Sequence, residues 1–301
     1  MLKNTQILPK GTLDTIKRSR PIYTIGRKVR FAVGELLGSR EVPGLTGRTH
    51  YNDFMLVSTD PAVVETYVRG ANQFIDILER SCSEAGRDPS TIGEVLEVGC
   101  GYGRIVRELR KRMPAARVHV SDVIDGAARF TAAEFGCHEM LPLEDAGAEY
   151  NERFDLVYLL SVYTHLRRDL VAANLRRLSA ILKPDGVAVI TLHGRGSAEI
   201  AERYNQYWLD KARVLNALDR DGYYYERYPY YYGEYGLTWF TRPTFDGLIA
   251  EVAPELQAVA YHPLDLEGHQ DVAVFRKVAK RPSRHADERA QNVRAPEPAE
   301  A

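Results

Sequence analysis

A chain of 301 residues, 45% hydrophobic and 27% charged, has the composition of a soluble globular protein of one large domain or two small ones. Its net charge of −1 gives no global attraction to nucleic acid or acidic lipid, and Cys82, Cys100 and Cys137 lie too far apart for a disulfide framework or a zinc site. No apolar run reaches the roughly 18 residues of a membrane span and no signal-peptide core is present, so a cytoplasmic, metal-free protein is expected.

Charge is unevenly spread. Residues 1 to 48 hold Lys3, Lys10, Lys17, Arg18, Arg20, Arg27, Lys28, Arg30, Arg40 and Arg48 against Asp14, Glu35 and Glu41. Over residues 21 to 38, Ile22, Ile25, Val29, Val33, Leu36 and Leu37 recur at helical spacing. The pattern reads first as a helix packed on the domain, and second as a basic amphipathic segment making peripheral contact with a membrane or an acidic partner. Residues 1–60 are taken as an N-terminal helical and loop cap, whose loop from Glu41 to Phe54 ends in Arg48-Thr49-His50-Tyr51-Asn52-Asp53.

Asp60-Pro61 has the form of an N-cap followed by proline at the first helical position, and Val64, Tyr67, Ala71, Phe74 and Leu78 supply an apolar helix face. Strand and helix patterns then alternate. Strands are expected near residues 95–98, 117–121, 138–141, 154–160 and 187–192, with helices between them and a turn at Lys183-Pro184-Asp185-Gly186. Phe154 to Leu160 is almost uninterruptedly apolar, as in a strand buried on both faces. Alternation of this kind predicts an α/β fold with a parallel sheet and right-handed crossovers. A polar, aromatic insertion over 197–245 interrupts the rhythm before two last strands near 256–261 and 271–278, and the tail 281–301, poor in apolar residues, is expected to be disordered.

Val95-Leu96-Glu97-Val98-Gly99-Cys100-Gly101-Tyr102-Gly103-Arg104 reads as a strand, a tight glycine turn and a helix start. Such a turn brings bare backbone N–H groups to a ligand at a helix N-terminus. Asp122, after the second strand, can accept two hydrogen bonds from a ribose diol, which suits an adenosine-containing cofactor. A dinucleotide fingerprint requires its third glycine at position 104, where this chain has arginine. A nicotinamide oxidoreductase is therefore disfavoured.

The Glu-x-Gly-x-Gly-x-Gly spacing resembles the first motif of class I S-adenosylmethionine (SAM) methyltransferases, and the resemblance extends from about residue 50 to 279. Gly99-Cys100-Gly101-Tyr102-Gly103-Arg104, Ser161-Val162-Tyr163-Thr164-His165-Leu166 and Gln270-Asp271-Val272 resemble a bacterial subset associated with glycans and secondary metabolites. The resemblance implies a Rossmann-like domain over 61–280 with a mostly parallel seven-stranded sheet and an antiparallel last strand. It implies SAM as cofactor, held by Glu97, Gly99, Cys100, Gly101, Gly103, Asp122, Val123, Asp145 (or Glu144) and Ser161, with Glu97 toward the ammonium and Val123 beside the adenine.

Methyl transfer from a sulfonium needs a base only where the acceptor must lose a proton. His165 and His193, after the fourth and fifth strands, are the catalytic candidates, and His50 a third. Tyr223 to Tyr235, rich in tyrosine and close to Trp208 and Trp239, suits a sugar or aromatic acceptor. The expected reaction is O-methylation of a sugar, glycan or small hydroxylated metabolite. The alternatives are small-molecule N-methylation and a non-catalytic scaffold of the same fold; a nucleic-acid acceptor is not expected.

Overall fold

The structure is a computed structural model that describes residues 20–201, 209–228 and 234–278. The tail expected to be disordered, Trp208 and Tyr230 to Tyr232 of the tyrosine cluster lie outside the described residues.

Helix α1 (Arg20–Leu37) leads to a small hairpin, β1 (Ser39–Arg40) and β2 (Thr49–His50), and then to helix α2 (Pro61–Glu84). Asp60 caps α2 as expected, its Oδ1 accepting the Ala62 N–H at 2.9 Å. The apolar stripe of α1 does not pack on the domain. Ile22, Ile25, Val29, Val33 and Leu36 are 48–87% exposed, and α1 touches the cap loop through its other side. Gly34 lies so close to Asn52 that a Cβ there would meet Oδ1 at 1.9 Å, and the Asn52 amide donates to the Phe31 carbonyl at 3.1 Å and to Glu35 at 2.9 Å. The small and polar side of the helix makes the contact, so the apolar side is left outward.

The alternating region follows as β3 (Glu94–Val98), α3 (Arg104–Arg112), β4 (Arg117–Ser121), α4 (Ala127–Phe135), β5 (His138–Glu139), β6 (Phe154–Leu159), α5 (Arg168–Ile181) and β7 (Leu182–Leu192). The segment 197–245 holds most of α6 (Arg195–Glu199), α7 (Lys211–Asp221) and the two-stranded β8 (Tyr223–Arg227) and β9 (Gly236–Phe240). Its last residues open α8 (Arg242–Val252), a helix with no counterpart in the sequence reading, and β10 (Leu256–Leu266) and β11 (Gln270–Lys277) complete the chain. The turn expected at Lys183–Gly186 falls within the bounds of β7, where residues 183–186 have no partners on β6 between the Phe154–Leu182 and Leu156–Val187 pairs. Asp185 at φ +62° turns the chain there, and the register against β6 shifts to accommodate the extra residues.

Across the main sheet the order is β10-β11-β7-β6-β3-β4-β5, with β11 antiparallel to both neighbours and the remaining pairs parallel. This is the mostly parallel, seven-stranded, Rossmann-like α/β sheet that the sequence resemblance implied. Because side chains alternate across a strand, Val95, Leu156 and Val187 face one core with α2 and α3, while Leu96, Val157 and Ala188 face the other with α5 and α8. A smaller cluster of Ala198, Val214, Leu218, Leu237 and Trp239 holds the α6–β9 segment together.

Candidate cofactor and acceptor site

Ligands of open α/β sheets bind beyond the carboxyl ends of the strands. There the turn after β3 is pinned to the end of β4, since the Gly99 and Cys100 N–H groups both donate to the Ser121 carbonyl, at 2.8 and 3.2 Å. Gly99, Gly101 and Gly103 all have positive φ, but for different neighbours. A Cβ on Gly99 would meet Val162 at 2.6 Å and one on Gly103 would meet Phe135 at 2.4 Å, whereas a Cβ on Gly101 would project into open space. Gly101 is thus the bare point of the turn.

Beside it, Asp122 accepts the Gly101 N–H at 2.6 Å and the Ile124 N–H at 2.7 Å. Burial pushes its carboxyl above the usual range against these two bonds. A carboxylate has about four acceptor positions, so this one retains capacity for further donors. Val123, next in sequence, is 75% exposed, and Leu141 after β5 is 63% exposed.

The other expected contacts have partners of their own within the fold. Glu97 is buried, accepts the Tyr158 hydroxyl at 3.0 Å through one oxygen, and is pushed well above the usual carboxyl range by burial, with Asp122 acting in the same sense. Its partners Tyr158 and the Val106 backbone lie beneath the turn, so Glu97 ties β3 to β6 and to α3. The Cys100 side chain is buried in the core, leaving its backbone as the part that shapes the turn. Asp145 is exposed on the short turn Leu143–Asp145. Ser161 sits at φ +58°, its N–H donating to Thr191 at 2.8 Å and its hydroxyl to Gln270 at 3.1 Å, so it joins the ends of β6, β7 and β11. Arg48 is engaged by Glu134 through its side chain at 3.3 Å and its N–H at 2.7 Å.

The two histidines after β6 and β7 are brought to one strand. The backbone of β9 docks along the loop after β6, with the Gly236 N–H on the His165 carbonyl at 3.1 Å and Thr238 on Thr164 at 2.8 Å; the Phe240 N–H reaches the His193 carbonyl at 3.0 Å. In return the His165 Nδ1 bonds the Gly236 carbonyl at 2.8 Å and the His193 Nδ1 bonds the Thr238 carbonyl at 3.2 Å. A carbonyl can only accept, so each Nδ1 carries the proton and each neutral ring keeps its Nε2 as an acceptor. His165 stacks on Tyr235 (centroids 4.6 Å) and His193 on Trp239 (5.3 Å).

Burial lowers both imidazoles. His193 falls to about 3, mainly through burial, with His165 and His269 adding to the drop. Tyr235 lies within electrostatic reach of Asp122. Burial raises its hydroxyl to about 12, with the Asp122 carboxylate adding to the rise and Arg27 of α1 opposing it. His269, 6.4 Å from His193, and Tyr235 were not singled out by the sequence; the one adjoins Gln270 in the β10–β11 turn and the other ends the tyrosine run.

Known proteins resemble this chain in part. Malonyl-[acyl-carrier protein] O-methyltransferase of Acetivibrio thermocellus is 29% identical over 131 residues, 41% of this chain and 41% of the relative, so less than half of that protein's length is spanned. Among solved structures, a SAM-dependent methyltransferase from Clostridium acetobutylicum aligns with TM-score 0.49 and 12% identity over 69% of this chain and 92% of its own. An amino pentose methyltransferase from Micromonospora echinaspora, solved with SAM bound, aligns with TM-score 0.47 and 18% identity over 72% and 97% of the two chains. Residues 69–224, just over half of the 301-residue chain, match the family described as Methyltransferase domain, and the chain belongs to that family of SAM-dependent methyltransferase domains.

Proposed function

We propose that the protein transfers the methyl group of SAM to a hydroxyl of a sugar, glycan or other small hydroxylated metabolite. The residues present suit the cofactor: Gly101 offers an unobstructed backbone, and Asp122 beside it has acceptor capacity for a ribose diol. SAM supplies an electrophilic methyl whose departure leaves a neutral thioether, so no acid is needed. The protein's part is to orient the acceptor and take its proton.

The observation that carries the hydroxyl reading is the tautomer of His165. Its Nδ1–H is held on the Gly236 carbonyl, which leaves Nε2 to accept a hydroxyl proton. His193 is held in the same way, but at about 3 it is too weak a base at neutral pH and serves as a positioning group. Tyr235, stacked on His165 and partly exposed, provides a flat face of the kind that sugar rings pack on. The O-methyl transfer named for the Acetivibrio relative agrees with an oxygen acceptor. The test is transfer of label from tritiated SAM to fractionated small-molecule and glycan extracts. Labelled product with an alkali-stable ether supports the reading; label confined to amines, unaffected by His165→Gln, replaces it with N-methylation.

A further inference from the structure

We propose that α1 is a docking helix that lies on a bilayer surface rich in anionic lipid and seats the mouth of the cleft against it. Ile22, Ile25, Val29, Val33, Leu36 and Leu37 form one outward stripe along a helix of 18 residues, about 27 Å long at the usual rise. Exposed apolar surface of this extent on one helix marks an interaction site. Lys28 and Arg30, both exposed, fall on opposite borders of the stripe, where their charged ends can reach headgroups while the stripe enters the acyl boundary. The sequence before α1 adds Lys10, Lys17 and Arg18 against Asp14. No helix among the described residues is long and apolar enough to cross a membrane, so α1 lies along the surface.

Charge distinguishes this occupant from a second copy of the chain. Glu35, the acid of α1, turns to the inner side and accepts from Asn52. Two stripes placed face to face would bring Lys28 and Arg30 of both copies into one seam with a single acid per helix, Glu35, already engaged by Asn52, whereas anionic headgroups complement each cation. The inner side of the same helix borders the cleft. Glu35 approaches Gly126 at the start of α4, Arg27 acts on the ionisation of Tyr235, and Asn52 links α1 to the strand that carries His50. One helix diameter, about 10 Å, would therefore separate the bilayer from the cleft, a distance suited to acceptors that are membrane-associated.

Flotation of the full chain with phosphatidylcholine vesicles, alone or with roughly 30% phosphatidylglycerol, tests the proposal. The wild type is expected to float with the anionic vesicles and to be released by salt. The double substitution Val29→Asp with Val33→Asp should weaken binding at least about tenfold, and Lys28→Glu with Arg30→Glu should remove the preference for phosphatidylglycerol. Thermal unfolding of each variant should match the wild type, since all four side chains are exposed. Absence of vesicle binding by the wild type, or undiminished binding by the Val29→Asp, Val33→Asp variant, overturns the proposal. So does a dimer in sedimentation that this variant dissociates while vesicles leave the protein unbound, which would assign the stripe to a second copy.

Discussion

The imidazole of His50 lies flat on the ring of Tyr102, with centroids 4.6 Å apart and planes 8° from parallel, and Phe130 meets it edge-on at 5.2 Å. Tyr102 is the residue between the second and third glycines of the turn, so β2 of the cap forms a roof over one side of it. Burial lowers the His50 pKa and outweighs Glu35 and Asp53, which act in the opposite sense. The stacked ring is therefore neutral at neutral pH. The cap is part of the cleft wall, and what holds the cap holds the turn.

Arg107 is the main latch. It is 1% exposed on α3 and donates to the carbonyls of Thr46, to Gly47 at 3.0 Å and to Arg48 at 3.0 Å, while its guanidinium lies 4.8 Å over Phe135. Arg107→Met keeps the packing volume and strands the carbonyls. The expected cost is about 3 kcal/mol in denaturant unfolding, together with faster proteolytic nicking between residues 41 and 56. An unchanged midpoint and an uncut loop would show that water replaces the guanidinium.

The glycines of the turn separate strain from occupancy. Gly103→Ala forces a Cβ against Phe135 and Thr131 at φ +86°, so it should destabilise the protein by about 2 to 4 kcal/mol. Gly101→Ala meets no atom within 4 Å and should cost only the left-handed backbone term of about 1 to 2 kcal/mol. In calorimetry with SAM, Gly101→Ala should nevertheless lose affinity, because its methyl group fills the cradle. SAM binding that survives Gly101→Ala intact would place the cofactor elsewhere.

Asp122→Ala removes a carboxylate that receives two backbone N–H groups and, by proposal, the ribose. With charged hydrogen bonds contributing about 1.5 to 3 kcal/mol each, SAM affinity should fall on the order of a hundredfold, while circular dichroism stays native. Asp122→Asn keeps one acceptor and should fall between. Equal affinity in all three proteins would remove Asp122 from the site.

The sheet was legible because period-two burial and glycine turns are local signals: Val95 and Leu96 announce opposite cores, and Gly99 to Gly103 announce the turn. Relationships between distant segments were not. The exposure of the α1 stripe depends on Gly34 meeting Asn52, and periodicity shows which side of a helix is apolar without showing whether anything covers it. The bond between Glu97 and Tyr158, which ties β3 to β6, joins residues 61 apart and has no local signal. Arg107 reads as a surface charge until the carbonyls of residues 46–48 close around it. His165 and His193 were visible as strand-end residues, but their shared attachment to β9 required the fold.

That attachment fixes the pH dependence expected of the reaction. Burial lowers the His165 pKa below 6.5, and its bond to the Gly236 carbonyl only partly offsets this. A base must be neutral, and lowering its pKa extends the neutral form toward acid. The rate should then be level through neutral pH and decline only as pH falls below 6.5 through the lowered pKa. His165→Gln should reduce kcat by about a hundredfold or more and abolish the acid limb, with SAM affinity unchanged. His193, held at about 3, stays neutral across the range, so His193→Gln should raise KM and leave the limb in place. An acid limb and rate that persist in His165→Gln would mean that the acceptor needs no base from this residue, as an amine would not.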